Sequence, residues 1–276
     1  MGYASVLELA KHKAHVYVAS RTPSKAEAAI TEIKKEVPEA RLSFLELDLT
    51  SFDSIKAAAE TFKAKESRLD ILLNNAGVMA VSPGLTKEGY EIQFGTNHIG
   101  HALLVKLLLP TLIKTQEQSP DVRIVNVSSQ GHNWTPPGGL VLAQAKTEMK
   151  DTSTWARYGQ AKLANILYTK GLVEHYPQIK SVAIHPGTVN TNLSSGFQKD
   201  HPIISGALAP WLLKLLKTPA SGALTQLFAA TSADAKSGVY YTPVGKETAP
   251  SALASDQKLV TELWDWTEKE LKEHGF

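Results

Sequence analysis

The sequence has no cysteine, which excludes disulfides, thiolate catalysis and cysteine-ligated metal centres. It has almost no net charge: 29 Lys and Arg stand against 27 Asp and Glu, a formal +2. Composition therefore offers no attraction to nucleic acid or to an anionic membrane. It also lacks a long hydrophobic run. The most apolar window, Ile203 to Leu216, is broken by Pro210 and charged at Lys214, and falls short of the roughly 20 residues that a transmembrane helix needs. No secretory leader is legible, because Met1-Gly2-Tyr3-Ala4-Ser5 is followed by an amphipathic stretch carrying Glu8 and Lys11 rather than by an apolar core. The glycosylation-type triplets at Asn126, Asn133 and Asn192 are accordingly read as chance. The expectation is a cytoplasmic protein, alone or as a homo-oligomer, whose partner is a small molecule.

What is present is ordinary for a globular chain: 43% hydrophobic and 20% charged residues. Short β-branched runs alternate with helical patterns. Strands are expected at His15–Ala19, Arg41–Leu47, Asp70–Leu73, Arg123–Val127, Ser181–Ile184 and Gly238–Tyr241. Helices are expected at Ser24–Val37 with Ser24 as N-cap, Ser54–Lys65, Tyr90–Lys114, Tyr158–His175 and Gln257–His274. This alternation implies βαβ crossovers and a parallel sheet covered by helices on both faces. With no linker and no repeat, 1–276 reads as a single doubly wound Rossmann-type domain. Residues 192–217 form a candidate lid carrying Leu208, Trp211, Leu212, Leu213, Leu215 and Leu216. It suits a lipophilic or aromatic substrate, or else packs on the domain or forms a dimer contact.

Tyr158-Gly159-Gln160-Ala161-Lys162 puts a phenol and an ammonium one helical turn apart. There the ammonium lowers a phenol pKa, ordinarily about 10, so that tyrosine can pass a proton. Alone the motif is weak: Tyr176-Pro177-Gln178-Ile179-Lys180 repeats the spacing across a helix-breaking proline, and an exposed helix face is the plain alternative. Other polar groups sit where open parallel sheets bind ligands, at strand ends. These are Asn74-Asn75-Ala76-Gly77, Ser128-Ser129 and His185-Pro186-Gly187-Thr188-Val189-Asn190-Thr191, with Asn97 lying in the helix between the first two.

In this order the set resembles the short-chain dehydrogenase/reductase family over the whole chain. The resemblance implies hydride transfer between a nicotinamide cofactor and a carbonyl or alcohol. It makes Tyr158 the proton donor or base and also a cofactor contact. Lys162 tunes it and holds the nicotinamide ribose, Ser129 binds the substrate oxygen, and Asn97 places a water that links Lys162 to solvent. It assigns Ser20 and Arg21 to the adenosine ribose, Asp48 and Asn75 to the adenine side, and Val189 and Thr191 to the carboxamide and phosphates. Lys106 is assigned either to a cofactor oxygen or to solvent. An arginine at 21, where NAD-preferring members carry an acid, implies NADP(H) over NAD.

The family's opening strand and glycine-rich turn are missing. Met1-Gly2-Tyr3 aligns with the end of that turn, so the first strand is absent or replaced and its neighbours should be left unpaired. Three readings stand: a misassigned start with roughly ten to twenty residues upstream, a short form of low activity, or a non-catalytic binding protein on a dehydrogenase scaffold. The first is preferred, because nothing from Tyr3 onward is decayed. Lys13 replaces a frequent helix-ending glycine, which costs little if that residue is not left-handed. The long segment between Ser129 and Tyr158, and the Asn97-His98-x-Gly100-His101 pattern, resemble the retinol-dehydrogenase-like branch. Trp264 and Trp266 are read as packing or interface residues.

Overall fold

The computed structural model describes residues 1–189 and 217–276. The lid expected at 192–217 thus lies outside the described residues except for Lys217, as does Thr191. The chain runs α1 (Gly2–Lys11), β1 (His15–Ser20), α2 (Pro23–Glu36), β2 (Arg41–Glu46), α3 (Phe52–Lys65) and β3 (Ile71–Asn74). Then come a short α4 (Ile92–Phe94), a π-turn (Gly95–Ile99), α5 (Gly100–Gln118), β4 (Arg123–Val127), α6 (Thr154–His175) and β5 (Lys180–Ile184). It closes with α7 (Pro219–Thr231), β6 (Tyr240–Thr242), β7 (Lys246–Glu247) and α8 (Gln257–Glu273). Every strand pairing is parallel except β6 with β7. Helices α3, α5, α6 and α8 pack together in one layer, and α1 and α7 pack on each other in another.

The sheet is divided. Among the described residues β1 pairs with β2 alone, while β3, β4, β5, β6 and β7 form a second sheet in that order. The division appears in the burial of the strands. β4, flanked on both sides, is buried at all five residues, whereas β1 and β3 keep mostly partly exposed residues along their length. Apolar runs in β1 and β3 thus do not mark doubly buried strands here; among the described residues each lacks a neighbour on one edge. Between them lies a cavity of about 800 Å³.

Local chemistry explains most element ends. Ser51, Ser153, Thr218 and Asp256 each accept a hydrogen bond from a backbone N–H in the first turn of the helix that follows. Helix α2 starts earlier than expected, with Pro23 in its first turn and Thr22 rather than Ser24 at the cap, because proline's fixed φ suits that position. Trp264 and Trp266 are packing residues. Trp264 stacks on His175 with centroids 4.1 Å apart, and Trp266 meets Tyr90 and Phe94 edge-on.

Lys13 ends α1 in the left-handed region, at φ 65°. The mild cost expected of it was conditional on an ordinary backbone and does not apply. Its N–H reaches the Ala10 carbonyl and the next N–H reaches that of Leu9, the closure that glycine serves best. Replacing Lys13 by Gly is expected to stabilise the protein by about 1 kcal/mol, read from the urea midpoint at unchanged slope.

Candidate active site

Helix α6 carries Tyr158 and Lys162 inward, not on an exposed face. Tyr158 is 2% exposed and Lys162 4%. The Lys162 ammonium donates to the Val127 carbonyl at 2.9 Å and lies 5.8 Å from the Tyr158 ring centroid. Burial pushes its pKa down to about 8. Tyr158 is pushed up to about 12 by burial, against a hydrogen bond from Ser129 that lowers it. In the chain by itself desolvation therefore outweighs the lowering expected from the lysine, and Tyr158 is a neutral phenol throughout the physiological range.

The two serines after β4 divide their work. The Ser128 hydroxyl donates to the Lys162 carbonyl at 2.7 Å and ties α6 to the strand. Ser129 turns toward the phenol. A Cβ built on Gly131 would stand 2.7 Å from the Tyr158 ring and 3.4 Å from Ser129 Oγ, so only glycine lets the strand-end loop close on both. The His132 ring holds that loop, with Nδ1 at 2.7 Å from the Ser129 carbonyl and Nε2 accepting from the Ser251 N–H.

Asn97 arrives on the π-turn, a distortion common at functional sites. Its amide pairs twice with the Val78 backbone, accepting at 2.8 Å and donating at 2.9 Å, and its carbonyl accepts from His101 Nδ1. A Cβ at Gly77 would meet Asn97 Oδ1 at 2.6 Å and Lys162 Nζ at 3.7 Å. The sequence thus supplies glycine at the point where Asn97 and Lys162 converge. Burial keeps His98 and His101 neutral, with pKa values near 3 and 4.

The expected cofactor residues fall at the carboxyl ends of the strands. Ser20 ends β1, and its hydroxyl accepts from the Thr22 N–H. Arg21 is exposed just beyond and makes no ion pair among the described residues. Asp48 is fixed beyond β2 by hydrogen bonds from the Thr50 N–H and hydroxyl. Val189 bridges to Lys217. The Asn75 Oδ1 atom is buried without a partner among the described residues, and the nitrogen of the same side-chain amide lies 3.2 Å from a Cβ built on Gly2, at the start of α1. An orphaned acceptor next to a helix N-terminus, whose first N–H groups are unsatisfied within the helix, fits a dinucleotide with hydroxyls to donate and phosphates to be bound. Lys106 is not brought to this group: its ammonium pairs with Glu268 of α8. The decoy Tyr176 and Lys180 lie at the end of α6 and the start of β5, as the proline dictates.

One element escaped the sequence reading. Arg157 and Glu91, both at most 1% exposed, form a 2.6 Å ion pair. The Glu91 carboxylate also caps the Gln93 and Phe94 N–H groups, and Arg157 donates to the Val81 carbonyl. The pair fastens the start of α6 to the helix bearing Asn97. No spacing signals it, because the partners lie far apart in sequence.

Among the described residues no group of His, Asp and Glu is placed to hold a metal ion, and no helix is long and apolar enough to cross a membrane. The short chain dehydrogenase family model matches residues 1–202. A short-chain dehydrogenase/reductase of Aspergillus calidoustus is 39% identical, covering 99% of this chain and 90% of its own length. Retinol dehydrogenase 13 of Mus musculus is 37% identical over 96% of this chain and 78% of its own. Among solved structures, an uncharacterised protein of Mycobacterium paratuberculosis is 30% identical, with a TM-score of 0.73 over 98% of this chain and 89% of that one.

Proposed function

We propose, because the chain belongs to the short-chain dehydrogenase/reductase family of oxidoreductases, that it transfers hydride between NADP(H) and the carbonyl or secondary alcohol of a small lipophilic or aromatic substrate. The observation that carries this reading is the buried Tyr158–Lys162 pair with Ser129 against the phenol. The nicotinamide, when bound, supplies the hydride chemistry. The Tyr158 hydroxyl gives its proton to the carbonyl oxygen in reduction and takes it back in oxidation. Ser129 Oγ holds that oxygen. Lys162 keeps positive charge beside the phenol and would hold the nicotinamide ribose, with Asn97 ordering water behind it. Asn75, Asp48, Ser20 and Arg21 would hold the adenosine half, and Val189 with Thr191 the carboxamide and phosphates.

Arg21 supports NADP(H), since a guanidinium pairs with a 2′-phosphate and an acid does not. A lipophilic substrate is supported by the name of the retinol dehydrogenase relative. The half-exposed Trp134 indole, T-stacked on Trp155 near Tyr158, supports it too. A non-catalytic binder is not favoured, because the relatives cited are named as dehydrogenases or reductases.

The test is titration of NADPH and NADH, with thermal shift, against this chain and against a form extended by a strand and glycine-rich turn. NADPH is expected to bind more tightly than NADH. Arg21→Asp is expected to weaken NADPH by about tenfold or more, the scale of a lost charge-assisted hydrogen bond, while leaving NADH little changed. Failure of both forms to bind either nucleotide would sink the reading.

A further inference from the structure

Ser129 is brought to the phenol by a short loop, and a histidine that takes no part in proton transfer grips that loop. His132 is 4% exposed, and both of its ring nitrogens are engaged. A backbone N–H can only donate, so the Ser251 N–H at 3.1 Å makes Nε2 an acceptor. The proton of the neutral imidazole then sits on Nδ1 and is donated to the Ser129 carbonyl at 2.7 Å. That carbonyl also accepts from the His132 N–H at 3.1 Å. Ser129 is thereby held by its backbone, while its Oγ accepts from the Gly131 N–H and serves the phenol. The other end of the bridge is the turn leading into α8, where Ser251 Oγ accepts from the Ala254 N–H.

The surroundings favour a neutral ring. Tyr240 of β6 meets it edge-on, with centroids 5.3 Å apart. Tyr158 of α6 lies across Gly131. His185, just after β5, feels His132 as a like charge and feels Lys217 in the same way. None of these neighbours is a carboxylate that could stabilise an imidazolium. Burial holds the His132 pKa below the ordinary 6.5, against the Ser129 carbonyl, which raises it. Protonation would set a new N–H at Nε2 against the Ser251 N–H, donor facing donor, and the bridge would open.

We propose that His132 is a positioning residue for the reduction: its neutral Nδ1–H imidazole holds Ser129 where the substrate oxygen binds, and its protonation releases that hold. The proposal rests on the dehydrogenase reading. It gives carbonyl reduction an acid limb, separate from the decline in base set by Lys162.

The experiment measures kcat/KM for 4-nitrobenzaldehyde at saturating NADPH between about pH 5 and 8, in the form of the chain that binds NADPH. In the unaltered enzyme it is expected to fall as pH drops through a value below 6.5. His132→Asn keeps a donor within reach of the Ser129 carbonyl and cannot take up a proton. It is expected to stay within about threefold of the unaltered rate at neutral pH and to lose the acid limb. His132→Gln carries its amide to the Nε2 position and leaves Ser129 without the ring donor. It is expected to lose about tenfold in kcat/KM, with NADPH affinity unchanged. No acid limb in the unaltered enzyme, a limb that persists in His132→Asn, or equal rates in the two variants would each overturn the proposal and leave the dehydrogenase reading standing. Absence of both turnover and NADPH binding would overturn both. If the variants fail to fold by circular dichroism, or the NADPH-bound enzyme does not turn over this aldehyde, nitrogen–proton correlation spectra of the unaltered chain decide. The assigned His132 ring is expected as the neutral Nδ1–H tautomer at neutral pH, and an Nε2–H tautomer or an imidazolium there would overturn the proposal.

Discussion

Replacing Tyr158 by Phe is expected to lower carbonyl reduction by about 10²- to 10⁴-fold, the range for loss of a general acid. NADPH affinity and the melting temperature are expected to change little. The ring itself is the packed part, wedged against Gly131, and Phe retains it. Only the hydroxyl is lost, and with it the hydrogen bond to Ser129. Turnover and nucleotide titration on the same preparation separate the outcomes. An unchanged turnover would remove Tyr158 from the chemistry, while a loss of nucleotide binding alongside activity would make it a positioning residue instead.

The pH dependence carries a definite sign. Reduction needs the Tyr158 proton and the Lys162 charge, so both groups must be in their protonated forms. With Tyr158 pushed up to about 12 and Lys162 down to about 8, the lysine titrates first as pH rises. Reduction by the unaltered enzyme is expected to hold through neutrality and to decline above about pH 8. Oxidation, which needs the phenolate, is expected to rise with pH instead.

Breaking the Arg157–Glu91 pair is expected to have the largest effect on stability. Glu91→Ala leaves a guanidinium 1% exposed without its counter-charge and removes the carboxylate cap from two N–H groups at the start of α4. Removal of one partner of a buried pair costs about 3–5 kcal/mol, or roughly 10 °C in melting temperature for a chain of this size. The double replacement Glu91→Leu with Arg157→Leu is expected to cost less than Glu91→Ala, since no lone charge stays buried. Urea melts of the single and double variants check this. Similar losses in both would assign the pair's value to shape rather than charge.

How much of this was legible follows from the range of the interactions involved. Tyr158 and Lys162 are neighbours within one helix, and Ser129, Asn75 and Asp48 end or follow short apolar runs, so periodicity and local order determined the αβ alternation and the placing of these residues on one helix and at strand ends, while the resemblance to the family supplied their expected roles. The same locality exposed Tyr176 and Lys180 as a decoy, because Pro177 acts on the residue beside it. Lys106 was ambiguous for the opposite reason: its partner Glu268 belongs to the last helix, and only packing brings the two together. The direction of the Tyr158 pKa shift, the Arg157–Glu91 pair and the left-handed Lys13 were also decided by tertiary structure. Desolvation depends on every layer stacked over a group, a buried ion pair joins segments remote in sequence, and a helix end takes the backbone angles that the following strand requires. The gap between β1 and β3 combines the two. Sequence foretold the missing neighbour, but the cavity of about 800 Å³ between the two strands exists only once helices have packed around it.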